Sequence, residues 1–205
     1  MPGETHPVRY HPRRLQVAAG RPVDPRRPAA RLLAAGLLVV TAAAASGQPG
    51  ISREEALAAV FPGADVAADR VYLTRAQVRA VADLSRQDVP GRIYARYVAR
   101  RGGAVVGRAY VDTHVVRTKR ESLLISLEPD GRVRRIDVTA FLEPPEYVAP
   151  EPWLRQYDRR PLDDDLAIQR AIRPIAGATL TNRAVNGAVR RVLALDRILQ
   201  AGGAP

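Results

Sequence analysis

The sequence predicts an α+β domain: an antiparallel sheet flanked by helices, with a long helix at its C-terminal end. Three observations predict this fold. Two strand–turn–strand patterns follow one another between residues 92 and 141, each around a glycine-containing turn. Helix-start signals precede them, and apolar residues recur at helical spacing from residue 184 to residue 198. The chain has 205 residues, enough for one well-buried domain and a leader.

The first two helices begin at capping boxes. Ser52 stands three residues before Glu55, and a Pro-Gly pair ends the apolar pattern that follows. Thr74 stands three residues before Gln77 and opens the second helix, directly after a short strand at 71–73. These signals place two helices beside the first strand of the sheet.

The sheet is predicted to have four or more strands, because β-branched and aromatic residues alternate with polar ones between turn signals. The main strands are 92–98, 105–116, 123–127 and 133–141, with turns at Gly102-Gly103 and Pro129-Asp130-Gly131. His114 falls in the second of these strands and is interpreted as a strand-face residue rather than a catalytic base. The acidic run 163–165 is interpreted as a helix start, since it lacks the spacing of a calcium loop.

The segment 141–157 is irregular, because four prolines between residues 144 and 152 disfavour regular pairing. It is also rich in aromatic and acidic residues, and ordered loops of this kind often line sites. Two interpretations of Trp153 stand side by side: a wall of a binding site, or a side chain that plugs the core beneath a surface connection.

Composition excludes several functions. The chain has no cysteine, which rules out disulfides, thiolate-bound clusters and thiol catalysis, and only three histidines. The net charge is +11, of which +5 belongs to residues 1–49, and no run of basic residues interleaved with aromatics is present. A role in nucleic-acid binding is therefore not expected. Without cysteine and with few histidines, a protein that handles electrons needs an organic cofactor.

Residues 1–49 are predicted to be a signal peptide or short membrane anchor behind a basic Pro/Arg-rich leader. Arginines precede an apolar run at 32–45, which ends in small residues. Fourteen residues fit a signal-peptide core better than a full span, which needs about 20. The domain at 50–205 is therefore expected to be exported, to the periplasm or the outer face of the cytoplasmic membrane.

The most informative stretch is 175–182, a turn of small residues and two threonines that leads into the long helix. Gly177 allows unusual backbone angles and a close approach of a ligand, and Thr181 is predicted to cap the helix. A helix N-terminus offers unpaired N–H groups and the positive end of a dipole, which suit a phosphate. A hydroxyl there can bind a phosphate or be esterified to one.

This Gly-Ala-Thr turn, together with Glu-Pro-Pro-Glu-Tyr at 143–147 and Trp-Leu-Arg-Gln-Tyr at 153–157, resembles the FMN-binding domain family. That family includes the C subunit of the sodium-pumping NADH:quinone oxidoreductase and the G subunit of the related ferredoxin-oxidising ion pump. The resemblance covers about residues 90–195 and is nearest to small exported members. It implies an FMN held through a phosphoester to Thr179, attached by a secreted flavin transferase.

Two positions depart from the family pattern. Arg173 stands where the family has Asp, and Ala176 where it has Ser or Thr, and both belong to the pattern that the transferase reads. Covalent and non-covalent binding of FMN therefore both stay open. The cofactor-binding residues implied by the resemblance are Gly177, Ala178, Thr179, Leu180, Thr181, Glu143, Tyr147 and Trp153.

The predicted function is that of an exported electron carrier that relays electrons between a membrane or exported redox partner and another protein, without independent turnover. No catalytic residues and no metal ligands are assigned. Two alternatives stand beside it: a cofactor-free exported binding or scaffold module, and a non-covalent FMN-dependent reductase. A colourless protein would favour the first, and turnover with a soluble donor the second.

Overall fold

The computed structural model describes residues 50–202 of the chain. The predicted signal or anchor segment at 1–49 lies outside the described residues, as do residues 203–205. The helices are α1 (Arg53–Val60), α2 (Arg75–Ser85), α3 (Glu151–Leu154) and α4 (Thr179–Ala201). The strands are β1 (Asp65–Tyr72), β2 (Ile93–Arg101), β3 (Ala104–Val115), β4 (Arg120–Leu127) and β5 (Val133–Phe141). The predicted α+β class and the long C-terminal helix are confirmed.

The five strands form one antiparallel meander in the order β1-β2-β3-β4-β5. β1 is longer than the predicted strand at 71–73, because it begins at Asp65. Most side chains of β1 are exposed, so the apolar alternation that marks a strand is missing there. Hydrogen bonds to β2 along the whole length of β1 make it a strand nonetheless.

Both faces of the sheet are covered. The larger core lies between one face and helices α2 and α4, and Tyr110 of β3 is fully buried in it. A smaller core on the opposite face holds α1 with Phe61, against Tyr97, Ala109 and Leu124 of the sheet. Burial on both faces explains the nearly continuous apolar run of β4, because no face of that strand is left for water.

Two buried ion pairs join α4 to β3. Arg108 of β3 donates two hydrogen bonds to Asp196 of α4, at 2.5 and 2.9 Å, and Asp196 also accepts one from Tyr110 at 2.8 Å. Arg191 of α4 donates two to Asp112 of β3, at 3.0 and 2.7 Å. The residue numbers rise along β3 as they fall along α4, so the helix runs antiparallel to the strand and begins where β3 ends.

The acidic run at 163–165 does not begin a helix, so that prediction is wrong. Asp163 accepts hydrogen bonds from the backbone N–H groups of Asp165 and Leu166 through one carboxylate oxygen, which makes a turn. The carbonyls of Asp163 and Leu166 instead accept from the Arg190 guanidinium of α4, both at 2.9 Å. A side chain from α4 thus satisfies backbone groups that a helix would have paired locally.

The approach of α1 to the sheet depends on Gly107, since a Cβ there would lie 2.7 Å from the Leu127 carbonyl oxygen and would also meet the Phe61 ring. We expect Gly107→Ala to lower the free energy of unfolding by about 1–3 kcal/mol through overpacking. Gly91→Ala is the matched control, because no atom lies within 4 Å of a Cβ at that position. Urea denaturation measures both, and an equal loss of stability in the two variants would contradict this packing.

Candidate cofactor site at the start of helix α4

The Gly-Ala-Thr turn is open to solvent and leads directly into α4. Gly177 has φ +77°, and nothing lies within 4 Å of the place where a Cβ would stand. Ala178 is the N-cap residue and provides no side-chain cap, and Thr179 is the first residue of the helix and is exposed. The turn therefore uses glycine for its left-handed backbone angle, and it presents the Thr179 hydroxyl at the helix start.

Thr181 does not cap the helix, so that prediction is wrong. The helix begins at Thr179, and Thr181 lies within its first turn, where its side chain is buried. Its hydroxyl donates to the backbone carbonyl of Tyr147 at 2.8 Å instead. Thr181 therefore attaches the start of α4 to the loop that follows the sheet, which brings the segment 145–147 against the Gly-Ala-Thr turn.

Asn182 fixes the turn, and sequence reasoning missed it. Its side-chain amide donates to the Ile175 carbonyl at 3.0 Å, and its oxygen accepts from the Ile175 N–H at 3.1 Å. Asn182 is 2% exposed, so water does not compete for these bonds. The only signal in the sequence was an amide residue directly after the second threonine, which also fits an ordinary helical position.

The first turn of α4 presents unpaired donors. Among the described residues, no hydrogen-bond acceptor faces the backbone N–H groups of Thr179, Leu180 and Thr181, and the first helical bond runs from Asn182 N–H to the Ala178 carbonyl. These N–H groups and the aligned peptide dipoles of a 23-residue helix attract an anion. Arg183 stands one turn after Thr179, is exposed, and adds a positive charge on the same side of the helix.

Glu143 shapes a neighbouring turn. It is 4% exposed, and one of its oxygens accepts hydrogen bonds from the backbone N–H groups of Arg117, Thr118 and Lys119, at 3.1, 2.7 and 2.7 Å. The N–H groups of Thr118 and Lys119 hold the pKa of Glu143 below its usual value. The structure therefore gives Glu143 a part in building the turn between β3 and β4.

Tyr147 links that turn to the helix start. The Arg117 guanidinium carbon lies 5.5 Å from the centre of the Tyr147 ring, a cation–π distance, while the Tyr147 carbonyl binds Thr181. Glu143, Tyr147 and Thr181, which sequence reasoning selected separately, thus belong to one connected group with Arg117.

Trp153 lies in the core, beneath the loop that leads to the Gly-Ala-Thr turn. Its indole N–H donates to the Arg173 carbonyl at 2.6 Å, and its ring packs edge-on against the buried Tyr157 ring, with centres 5.5 Å apart. At 7% exposure, Trp153 supports the loop from below and presents no open aromatic face. This is the core position that one of the two sequence interpretations expected.

A shallow cleft of about 260 Å³ runs between the start of α4 and the end of β3. Leu180, Arg183 and Ala184 form its helix side, and Val115 and Val116 form its strand side. His114 and Arg191 also line the cleft. The remaining lining residues are Gln87 and Gly187. The cleft therefore combines an apolar rim with positively charged groups next to Thr179.

A larger cleft of about 660 Å³ lies along β5, away from α4. Asp137 is buried in it, and one of its carboxylate oxygens has no partner among the described residues. Burial raises the pKa of Asp137, although its ion pair with Arg135 opposes that shift. The sequence predicts no function for this cleft.

His114 lies between two carboxylates. Its Nδ1 is 2.9 Å from Asp112 and its Nε2 is 3.0 Å from Glu121, and all three side chains are buried. Two carboxylate acceptors require a hydrogen on both ring nitrogens, which favours the imidazolium. Burial alone lowers the pKa of His114, but the bonds to Asp112 and Glu121 outweigh it and raise the pKa to about 8.

Within residues 50–202, no group of three or more His, Cys, Asp or Glu side chains is placed to hold a metal ion. Over the same residues, no helix combines the length and apolar character needed to cross a membrane.

No protein-family model matches the chain, and no curated protein matches it.

The His114 cluster makes stability depend on pH. The pKa of His114 is about 8 in the folded chain and about 6.5 when unfolded, so its stabilising effect is complete below pH 6.5 and disappears as the pH rises through 8. We expect the free energy of unfolding to fall by about 2 kcal/mol over that interval. Urea denaturation at a series of pH values measures it, and His114→Gln is the control. A wild-type slope no steeper than that of His114→Gln would contradict the assignment.

The Asn182 bonds are expected to hold the turn in place. Asn182→Ala removes a donor and an acceptor, which leaves the half-buried Ile175 N–H without a partner and the Ile175 carbonyl with only the 3.4 Å bond from the Ala178 N–H. We expect a cost of about 1–3 kcal/mol in unfolding free energy. Amide hydrogen exchange should speed up at residues 175–178 in this variant. Gln200→Ala, an exposed position at the other end of α4, should leave that exchange unchanged. Unchanged exchange at 175–178 in Asn182→Ala would show that the turn does not depend on Asn182.

Proposed function

We propose that the chain is an exported FMN-binding electron carrier whose flavin is attached by a phosphoester to Thr179. The observation that carries the proposal is the position of Thr179. Its hydroxyl is exposed on the first residue of a 23-residue helix, among backbone N–H groups that no described residue accepts from. A phosphoester there would be stabilised by the helix dipole and by those N–H groups.

The charges around the turn fit a phosphate. Arg183 lies one helical turn from Thr179, and Arg117 and Lys119 lie on the adjacent β3–β4 turn that Glu143 holds in shape. The Glu143 carboxylate is occupied by three backbone N–H groups of that turn, which tempers its negative charge. Positive side chains and helix donors together make the neighbourhood of Thr179 attractive to an anion.

The ring of the cofactor would need a less polar surface. The cleft beside Thr179 offers Leu180, Val115 and Val116, with Tyr147 at the neighbouring loop. Bound FMN would supply transfer of one or two electrons, while the chain binds it, orients it and sets the local charge. Arg183 is the exposed positive group of this cleft, since Arg191 and the His114 imidazolium are paired with Asp112 and Glu121.

We further propose how the flavin is attached and in which compartment the protein works. A secreted flavin transferase would attach the FMN after export by the segment 1–49, on the periplasmic or outer face of the membrane. The partners would be exported or membrane redox proteins. The competing function is a cofactor-free binding or scaffold module, and the observation that favours it is that Glu143 and Trp153 are engaged in building the fold.

Expression of the full chain with an exported flavin transferase tests the proposal. We expect the denatured protein to give a fluorescent gel band whose intact mass includes one FMN. Thr179→Val, which keeps the shape and removes the hydroxyl, should give a dark band. Thr118→Val is the matched control, because Thr118 is an exposed threonine on the neighbouring turn, and it should stay fluorescent.

Three results would contradict the proposal. A fluorescent band from Thr179→Val would place the attachment elsewhere. A dark wild-type band of unmodified mass, with no flavin absorbance after addition of free FMN, would favour the cofactor-free module. Flavin absorbance without attachment, accompanied by turnover with a soluble donor, would favour the non-covalent reductase instead.

A further inference from the structure

The large apolar side chains that the described part of the chain exposes all lie at one end of the sheet. They are between 45% and 64% exposed, and they are Tyr72, Ile93, Val115, Leu142 and Leu180. We call this the sheet-end surface. Single exposed apolar residues are ordinary, but a group gathered in one place marks an interaction surface.

The strand register places these residues together. Tyr72 pairs with Ile93 where β1 ends and β2 begins, and Val115 pairs with Arg120 where β3 ends and β4 begins. Leu142 donates its N–H to the Arg120 carbonyl just after β5 ends. Leu180 lies across the cleft from Val115. The apolar side chains therefore follow the rim of the sheet from β1 to β5 and on to the start of α4.

Positively charged side chains lie among the apolar residues of the sheet-end surface. Exposed positive side chains on the segments that form this end are Arg92, Arg117, Lys119, Arg120 and Arg183. The exposed carboxylates on the same segments are Asp88, in the connection into β2, and Glu146, in the loop after β5. Glu121 and Glu143 are buried and already bonded to His114 and to the β3–β4 turn. Positive charge thus dominates an apolar rim, as on surfaces that bind anionic bilayers.

The described part of the chain begins beside β5. A Cβ at Gly50 would lie 3.2 Å from the carbonyl oxygen of Val138, which is four residues before Leu142. The apolar run at 32–45 ends five residues before Gly50. Five residues span at most about 18 Å, so the chain carries an apolar segment within a short length of the domain.

We propose that the sheet-end surface docks on an anionic lipid bilayer. Apolar side chains would enter the interfacial region while the arginines and the lysine contact anionic headgroups. A bilayer is favoured over an acidic protein because the apolar residues extend along the whole rim from β1 to β5, and because the apolar run at 32–45 of the same chain ends five residues before Gly50. The proposal concerns the chain without cofactor and does not depend on FMN.

The absence of cysteine gives a direct test in the full chain. Val115→Cys and Ala104→Cys place one thiol at each end of β3, both at exposed positions, and each is labelled with a polarity-sensitive dye. On vesicles that contain phosphatidylglycerol, the dye at residue 115 should shift to shorter wavelength and be quenched by a quencher attached to lipid. The dye at residue 104 should do neither. Leu142→Cys serves as a second probe if Val115→Cys fails to fold.

Charge variants test the headgroup contact. Lys119→Gln together with Arg120→Gln should raise the vesicle concentration needed for half of the residue-115 response by about 25-fold, which is about fivefold for each cation. Arg100→Gln together with Arg101→Gln, at the opposite end of the sheet, should leave it unchanged. Vesicle-bound protein whose dye at 115 stays in water, or equal responses at 115 and 104, would overturn the proposal.

Discussion

The buried ion pairs between α4 and β3 set the direction of the longest helix, and the position of the candidate site at the start of that helix depends on this direction. In one pair the strand supplies the cation, Arg108, and in the other it supplies the anion, Asp112. A helix packed in the reverse direction would place arginine against arginine and aspartate against aspartate. Buried ion pairs add little net stability, because removing two charges from water is costly. These two pairs instead specify the direction and register of the longest helix, because the cation comes from the strand in one pair and from the helix in the other.

That direction places the start of α4 at the end of the sheet. Asn182, Thr181 and Glu143 then build the surroundings of the Gly-Ala-Thr turn through bonds to backbone groups. The hydroxyl of Thr179 and the exposed apolar rim consequently share one end of the molecule. A cofactor at Thr179 would face the same way as the proposed bilayer contact, which suits exchange of electrons with a partner in the membrane.

The fold was largely predictable because its signals are local. Capping boxes at Ser52 and Thr74 begin α1 and α2 as expected, and glycine turns join the strands where the sequence predicts them. The errors arise where distant groups satisfy the backbone. The Thr181 hydroxyl donates to a carbonyl 34 positions away, and the Asp163 carbonyl accepts from the Arg190 guanidinium 27 positions away. No local pattern contains these partners.

The candidate site was predictable only in part for the same reason. The turn at 175–182 stands out by itself, but Asn182 looks like any helical residue. The partners of Arg191 and Asp196 lie 79 and 88 positions away on β3. The order of charges that orients α4 therefore depends on both segments, and neither segment alone predicts it. The bond between His114 and Glu121 across the hairpin was not predictable, because the sequence does not show which face of β3 the His114 side chain occupies.

A tandem mass spectrum of the tryptic peptide 171–183, taken from protein matured with a flavin transferase, tests the proposed attachment of FMN to Thr179 most directly. This peptide contains both threonines of the turn. We predict the mass of FMN, less one water, on Thr179, because Thr179 is exposed while the Thr181 hydroxyl is buried and bonded to the Tyr147 carbonyl. An unmodified peptide, or FMN on Thr181, would contradict it.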